Sequence, residues 1–181
     1  VLMGAAEVLT AKRGEPAGNV LFVFQPAEEG APPGEEGGAK LMLKQGLFTK
    51  YKPEVAFGIH ITSSMYTGQV GYRSGPIMAS ADRFEIEVKG KQAHGSRPWS
   101  GVDPIVTAAQ IINSVQTIVS RRVNITKEPA VVSFGKISGG VRNNIIPDSV
   151  QLIGTIRNFD MGIRQEIFDN LTLTAEKIAE S

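Results

Sequence analysis

The stretch RFEIEVKG, residues 83–90, contains the pattern that decides the fold of the second half of this chain. Phe84, Ile86 and Val88 alternate with charged residues along it. Strict alternation has the two-residue period of a strand with one face on a core and the other in water. RFEIEVKG therefore predicts a strand of a sheet that is covered on one side.

The residues after this strand predict a helix, two strands and a second helix. Asp103 and Pro104 suit the first positions of a helix that runs to about Arg122. We expect its core-facing stripe to be Ile105, Ala108, Ala109, Ile112, Val115, Ile118 and Val119. VVSFGKI and SVQLIGTIRN predict the strands, and IRQEIFDNLTLTAEKIAES predicts the helix, with Ile163, Ile167, Leu171, Ala175 and Ile178 at helical spacing. This order is that of a ferredoxin-like βαββαβ unit without its last strand.

The first part of the chain has a different pattern. VLMGAAEVLTAKRG predicts a helix, a shorter helix is expected around residues 39–45, and VLFVF (20–24) and VAFGIHI (55–61) are continuous apolar runs. Such runs suit strands buried on both faces in an α/β sheet. We therefore predict an α/β fold class with two domains, a partial α/β domain over 1–75 and a βαββαβ domain over 76–181.

Composition limits the classes of protein. The 181 residues are 41% hydrophobic and 20% charged, which suits a globular core. The formal net charge of +1 gives no electrostatic reason to expect nucleic acid or a membrane as partner. The absence of cysteine excludes disulfides and thiolate metal ligands within this sequence, and it is compatible with the cytoplasm, where we expect the protein.

Both ends of the sequence suggest an internal piece of a longer protein. The first helix has no capping residue or initiator Met before it, and the last helix has no C-cap glycine after it. Ordinary fraying of the termini is the alternative interpretation.

Carboxylates and a histidine follow the two apolar runs. Glu28 and Glu29 come just after VLFVF, and His60 lies at the end of VAFGIHI. If the runs are parallel neighbours, these side chains meet at one sheet edge, where a divalent metal would offset the like charges. Adjacent glutamates on an extended chain point in opposite directions, so one would bind metal and the other would act as a general base. The alternative is that both glutamates are solvated loop charges and that His60 is structural.

Four motifs, in order, resemble a known family. They are QPAEEG after a buried strand, GIH, AHGSRP with SGVDP, and GG-x-x-x-N-x-IP followed by GTIR. Together they look like the metal-dependent amidohydrolase and metallopeptidase family, which includes hippurate hydrolases, aminoacylases and indoleacetyl-amino-acid hydrolases. The resemblance covers nearly the whole chain. It implies part of a zinc-exopeptidase-like catalytic α/β domain and an inserted ferredoxin-like lid that often forms homodimers.

The resemblance also implies a reaction and a metal. The family hydrolyses the amide bond of N-acyl amino acids or small peptides. Glu28 matches its general base, and Glu29 and His60 match ligands of a divalent metal, zinc or manganese, with cobalt or nickel also suited to such ligands.

Three lid residues match positions near the substrate. His94 matches a histidine that reaches the partner subunit's site and stabilises the reacting carbonyl oxygen. Asn144 matches a residue near the substrate, and Arg157 matches one that grips a substrate carboxylate, for which its planar fork is suited. Structural roles remain open for all three: a loop cap for His94, a turn for Asn144 and a solvated edge charge for Arg157.

This sequence departs from the family pattern in its ligands. A Cys-Gly-His-Asp-x-His stretch and a further histidine are absent from it. Glu29 and His60 alone are fewer than the three protein ligands usual for catalytic zinc, so we expect these residues alone not to assemble the full site. The alternative function is a non-catalytic dimerisation or binding module with a vestigial metal site.

Overall fold

The structure is a computed structural model that describes residues 1–32 and 34–181. The chain divides into two compact units, Val1–Gln69 and Val70–Ser181. The predicted domain boundary between residues 75 and 76 stays a prediction. Among the described residues, no helix is long and apolar enough to cross a lipid bilayer.

The described residues of the first unit include three helices. They are α1 (Leu2–Ala11), α2 (Gly38–Lys44) and α3 (Leu47–Tyr51). The first two agree with the predicted helices, whereas α3 was not anticipated. Gly46 has φ of +87° and separates α2 from α3, since a left-handed residue cannot continue a helix.

The prediction that VLFVF and VAFGIHI are strands is wrong. Both segments lack strand pairing, and their side chains reach solvent, with Phe24 60% and Phe57 93% exposed. A helix satisfies its own backbone hydrogen bonds, whereas a strand needs a neighbouring strand to do so. Residues 1–32 and 34–69 include no strand to pair with either segment.

The second unit has a three-stranded antiparallel sheet. Its strands are β1 (Asp82–Lys89), β3 (Ala130–Gly139) and β5 (Ser149–Asn158), in the order β1-β5-β3. Both β1 and β3 are antiparallel to β5, so they run in the same direction with β5 between them. This is the split arrangement expected of βαββα, and it confirms the predicted strands and their order.

Two helices cover one face of this sheet. Helix α4 (Pro104–Thr117) continues into a π-helical turn (Ile118–Arg122), and α5 (Met161–Ala179) follows β5. The core between helices and sheet consists of Phe84, Val88, Ala108, Ile111, Val115, Ile118, Val123, Val132, Val150, Leu152, Ile156, Ile163, Ile167 and Leu171. The alternating face of β1 and the inner face of α5 are therefore as predicted.

The stripe predicted for α4 is partly wrong. Ile111 is buried in place of Ala109, and Ile105 is 45% exposed. The helix begins with Asp103, whose carboxylate accepts hydrogen bonds from the backbone N–H groups of Ile105 and Val106 at 2.9 and 3.4 Å. Pro104 is buried at the first helical position. The sequence identified the start of the helix but not the rotation of its buried face.

Glycine at the centre of the sheet lets two aromatic rings meet. Gly154 on β5 pairs with Phe84 on one side and Phe134 on the other. The two rings lie edge to face, with centroids 5.2 Å apart, which is a favourable aromatic geometry. A Cβ at Gly154 would collide with the Phe84 ring.

An ion pair joins the first strand to the last helix. Arg164 donates to both oxygens of Asp82, from Nε at 2.9 Å and from Nη2 at 2.5 Å. The bidentate hydrogen bonds from Arg164, together with one from Ser80, hold the pKa of the Asp82 carboxyl below its usual value, although burial acts in the opposite direction. The pair fixes α5 against the edge of the sheet.

Candidate functional site

The QPAEEG motif is a turn rather than an extended segment. Residues 26–29 form the turn, Ala27 has φ of +49°, and Gly30 N–H donates to the Ala27 carbonyl at 3.1 Å. A further hydrogen bond, from Gly38 N–H to the Pro26 carbonyl at 2.7 Å, closes the loop onto the start of α2. A left-handed backbone conformation is energetically unfavourable for a residue with a Cβ, such as Ala27. The surrounding hydrogen bonds have to hold Ala27 in this conformation.

This turn bears on the predicted directions of the Glu28 and Glu29 side chains. The expectation that Glu28 and Glu29 point in opposite directions assumed an extended chain, and that assumption is wrong. Both side chains are exposed, and the turn does not assign them different directions.

His60 lies in the other apolar segment of the first unit. It is exposed near the end of residues 55–61, which form neither a helix nor a strand. Among the described residues, no three side chains of His, Asp or Glu come close enough together to hold a metal ion. Carboxylate and imidazole have suitable donor chemistry, but two donors are too few for a catalytic zinc site. The described residues therefore do not form a complete metal site.

His94 and Asn144 are brought together in the second unit. Two short strands, β2 (Ala93–His94) and β4 (Ile145–Ile146), pair antiparallel with His94 opposite Ile145. Gly95 N–H donates to the Asn144 carbonyl at 2.8 Å, so Asn144 continues the pairing. A Cβ at Gly95 would lie 3.2 Å from the Asn144 carbonyl carbon, so glycine permits this close approach.

The His94 ring is held by its own loop. Ser96 N–H donates to His94 Nδ1 at 3.2 Å, and Ser96 Oγ lies 2.8 Å from the same nitrogen. His94 is exposed, and Nε2 has no hydrogen-bond partner among the residues that the structure describes. Ser96 is not among the predicted site residues. The signal was available, because a serine two residues after a histidine is well placed to bond the imidazole through its backbone and side chain.

The loop after His94 is anchored against β2. Residues 98–100 form a 3₁₀ turn, and Gly101 N–H donates to the Pro98 carbonyl at 3.1 Å. Lys91 and Val102 bridge the two sides of the loop through reciprocal hydrogen bonds of 2.9 and 3.0 Å. Trp99 is 80% exposed on this loop. The segment that carries His94 is thus fixed on both sides.

Arg157 lies away from the His94–Asn144 pair. It is exposed near the end of β5, where its Nη1 donates to the Ser80 carbonyl at 3.3 Å. The β2–β4 pair adjoins the other end of the sheet, where Lys89 pairs with Ser149. From Ser149 to Arg157 the strand extends roughly 26 Å. Of the three residues of the second unit that were predicted to lie near the substrate, two are therefore neighbours and the third is distant.

Comparison with known proteins identifies the family. The model of Peptidase family M20/M25/M40 matches residues 1–158. This chain belongs to that family, and the predicted membership of a metal-dependent amidohydrolase and metallopeptidase family is confirmed.

Individual relatives agree with this assignment. The chain is 39% identical over 178 residues to an N-acetylcysteine deacetylase of Bacillus subtilis, covering 98% of this chain and 45% of the relative. It is 40% identical over 169 residues to thermostable carboxypeptidase 2 of Saccharolobus solfataricus, covering 93% and 42%. The crystal structure of the Bacillus subtilis YXEP protein, described as a dinuclear metal binding peptidase, has a TM-score of 0.71 and 35% identity, covering 99% and 42%. The chain thus spans less than half the length of each.

Proposed function

We propose that this chain is part of a metal-dependent amidohydrolase that cleaves the amide bond of N-acyl amino acids or small peptides. The observation that carries the proposal is the β2–β4 pairing, which brings Asn144 next to Gly95, the residue after His94. His94 and Asn144 are 50 residues apart in the sequence, and the family resemblance assigns both to the substrate. The hydrogen bond between Gly95 and Asn144 makes them neighbours in the fold.

Glu28 is the general base of the proposed reaction. Its carboxylate takes a proton from the water that attacks the amide carbonyl, and it returns the proton to the nitrogen of the leaving amine. The exposure of Glu28 on a closed turn supports this role, because the carboxylate is accessible and its backbone is fixed.

The lid residues act on the substrate. His94 donates a hydrogen bond to the carbonyl oxygen as negative charge develops there, which lowers the barrier. Asn144 contacts the substrate beside it, and Arg157 pairs with the substrate carboxylate.

Divalent metal ions are the proposed cofactor, zinc or manganese first, with cobalt or nickel as alternatives. Glu29 and His60 are two of the proposed ligands, and the remaining ligands come from residues outside these 181. Such an ion, when bound, supplies a Lewis acid for hydrolysis. The description of the YXEP protein as a dinuclear metal binding peptidase supports this proposal. We also propose that the protein is cytoplasmic, in keeping with its lack of cysteine.

A homodimer through the second unit is the proposed assembly. His94 adjoins one end of the sheet and Arg157 lies at the other, roughly 26 Å along β5. This separation favours a site in which His94 of one copy and Arg157 of another contact the same small substrate. Catalysis by the full-length protein would then require dimerisation.

The test is metal content and hydrolysis in the full-length protein. Wild type is expected to bind divalent metal and to cleave a panel of N-acyl amino acids. Glu28→Gln should retain metal and lose 10²- to 10⁴-fold in kcat, the range for general acid–base catalysis. Glu35→Gln is the matched control, because Glu35 is an exposed glutamate of the same loop with no assigned role.

The alternative function is a dimerisation or binding module without catalysis. The absence of a three-ligand cluster among the described residues is the observation that favours it. Wild type that binds no divalent metal and cleaves nothing on the panel would establish this alternative and overturn the amidohydrolase proposal. Activity that Glu28→Gln leaves unchanged would overturn the role of Glu28 alone.

A further inference from the structure

We propose that Ser96 is a positioning residue that holds the His94 imidazole in the tautomer with its proton on Nε2. The inference rests on the proposed function for its catalytic consequence, but its structural basis is independent. It depends on two contacts to a single atom, His94 Nδ1.

The first contact fixes the chemistry of Nδ1. A backbone N–H can only donate, and Ser96 N–H points at His94 Nδ1 from 3.2 Å. Nδ1 must therefore present its lone pair to Ser96. A neutral imidazole that accepts at one nitrogen carries its proton on the other, which is Nε2 here.

The second contact strengthens this tautomer. Ser96 Oγ lies 2.8 Å from the same Nδ1. A hydroxyl can donate or accept, but the lone pair that faces the backbone N–H is also available to the hydroxyl proton. In the tautomer with its proton on Nε2 the Ser96 hydroxyl donates toward Nδ1, whereas the opposite tautomer would place its proton against the backbone N–H.

The loop geometry keeps Ser96 in place. Arg97 N–H donates to the His94 carbonyl at 2.8 Å and closes a tight turn around Ser96. Gly95, on the other side, is bonded to Asn144. The ring is thereby oriented by its own turn, and the turn is attached to Asn144, which immediately precedes β4.

The consequence is a fixed donor at Nε2. An Nε2–H aimed outward can donate to an oxygen that gains negative charge, whereas the opposite tautomer would present a lone pair and repel it. A donor that acts on developing charge affects kcat more than KM. Ser96 acts through His94 and does not itself contact the substrate.

Nuclear magnetic resonance of the 181-residue chain tests the tautomer directly. The chain has two histidines, so His60→Ala identifies the His94 ring signals. At a pH well above the ordinary imidazole pKa of about 6.5, the ¹⁵N shifts should show Nδ1 without a proton and Nε2 with one. A wild-type ring with its proton mainly on Nδ1 would overturn the inference.

Variants separate the serine side chain from the fold. Ser96→Ala should increase the Nδ1-protonated population, and Ser96→Thr should restore the wild-type spectrum. Ser100→Ala is the matched control, since its hydroxyl donates to the Arg97 carbonyl at 2.8 Å in the same loop without contacting His94. Unchanged amide signals from β5 show that each variant is folded. A Ser96→Ala ring identical to wild type would contradict the role of the hydroxyl.

Kinetics of the full-length protein tests the catalytic consequence. Ser96→Ala should lower kcat roughly fivefold with little change in KM, since one hydrogen bond is removed and the backbone donor remains. Unchanged kcat in an active enzyme would overturn the positioning role. Wild type without any hydrolysis would contradict the proposed function instead, and the tautomer measurement would still decide the structural inference.

Discussion

Segments that were predicted as strands have different structures in the two units of this chain. In Val70–Ser181 every segment predicted as a strand pairs with a neighbour, and its apolar face packs beneath two helices. In Val1–Gln69 two equally apolar segments stay unpaired and exposed. The difference shows that an apolar run forms a strand only where a neighbouring strand is available to pair with it. The run itself does not indicate whether such a neighbour exists.

The largest expected effect is in the core of the second unit. Leu152 is fully buried. It lies in β5, the central strand of the sheet, on the face that the two helices cover. Leu152→Ala should lower the free energy of unfolding by about 3 kcal/mol, because it removes buried methyl groups and leaves a cavity. Urea denaturation of the 181-residue chain, followed by circular dichroism, measures the change. A loss below about 1 kcal/mol would show that this core is not packed as the structure has it.

A smaller effect is expected at the ion pair between β1 and α5. Asp82→Asn should lower the free energy of unfolding at pH 7 by about 1.5 kcal/mol, since Arg164 loses a charged acceptor. The folded pKa of Asp82 lies below its ordinary value, so the carboxylate stabilises the fold above that ordinary value, and this contribution is lost as pH falls through the folded pKa. Urea denaturation from pH 7 down to pH 3 should show wild type and variant converging.

The same strand offers a control for this pair. Glu87 pairs with Lys89 at 3.6 Å on the exposed face of β1, with 60% of its side chain accessible. Glu87→Gln should change stability by less than about 0.5 kcal/mol, as exposed pairs usually do. An equal loss in both variants would indicate a general effect of charge on β1 rather than the contact with Arg164.

The cap of α4 comes next in size. Asp103→Ala should lower the free energy of unfolding by about 1 kcal/mol, because two backbone N–H groups at the helix start lose their acceptor. Thermal and urea denaturation measure the loss. Asp103→Asn keeps a side-chain oxygen that can accept and should restore most of the stability. An asparagine variant as unstable as the alanine variant would contradict the capping explanation.

The smallest effect on stability is expected for a substitution in the exposed segment VAFGIHI of the first unit. Phe57 is a large aromatic residue in VAFGIHI, but it is 93% exposed. Phe57→Ser should change the stability of the 181-residue chain by less than about 0.5 kcal/mol. A loss above about 1 kcal/mol in the same urea experiment would mean that this segment is buried in solution, against the contrast between the two units.

Much of the second unit could be predicted from the sequence because its signals are local. Alternation along β1, the Asp103–Pro104 start and the spacing along α5 each report one element with one buried face. The sequence does not determine which face of α4 is buried. Ile105 and Ile111 are equally apolar, and only packing against the sheet selects between them. The two-residue strands β2 and β4 are too short to have a period.

For the candidate site the sequence supplies candidate residues, which stay predictions, but not their geometry. The order of motifs identified the family, but no pattern in QPAEEG shows that Ala27 adopts a left-handed conformation and closes a turn. Likewise, nothing local links His94 to Asn144, because their contact depends on pairing between distant segments. The roles of Glu28, Glu29, His60, His94, Asn144 and Arg157 stay predictions for the proposed experiments to test.

The position of β5 has a consequence for the synthesis of this protein on the ribosome. It is the last strand of the sheet to be made, and within the part of the chain that the structure describes it is the strand with which both β1 and β3 pair. Ser149 follows its partner Lys89 by about sixty residues, which is roughly 3–12 s of translation at 5–20 residues per second. Throughout this interval the apolar side of β1 has no sheet to join. Completion of the sheet therefore has to wait until the central strand is made.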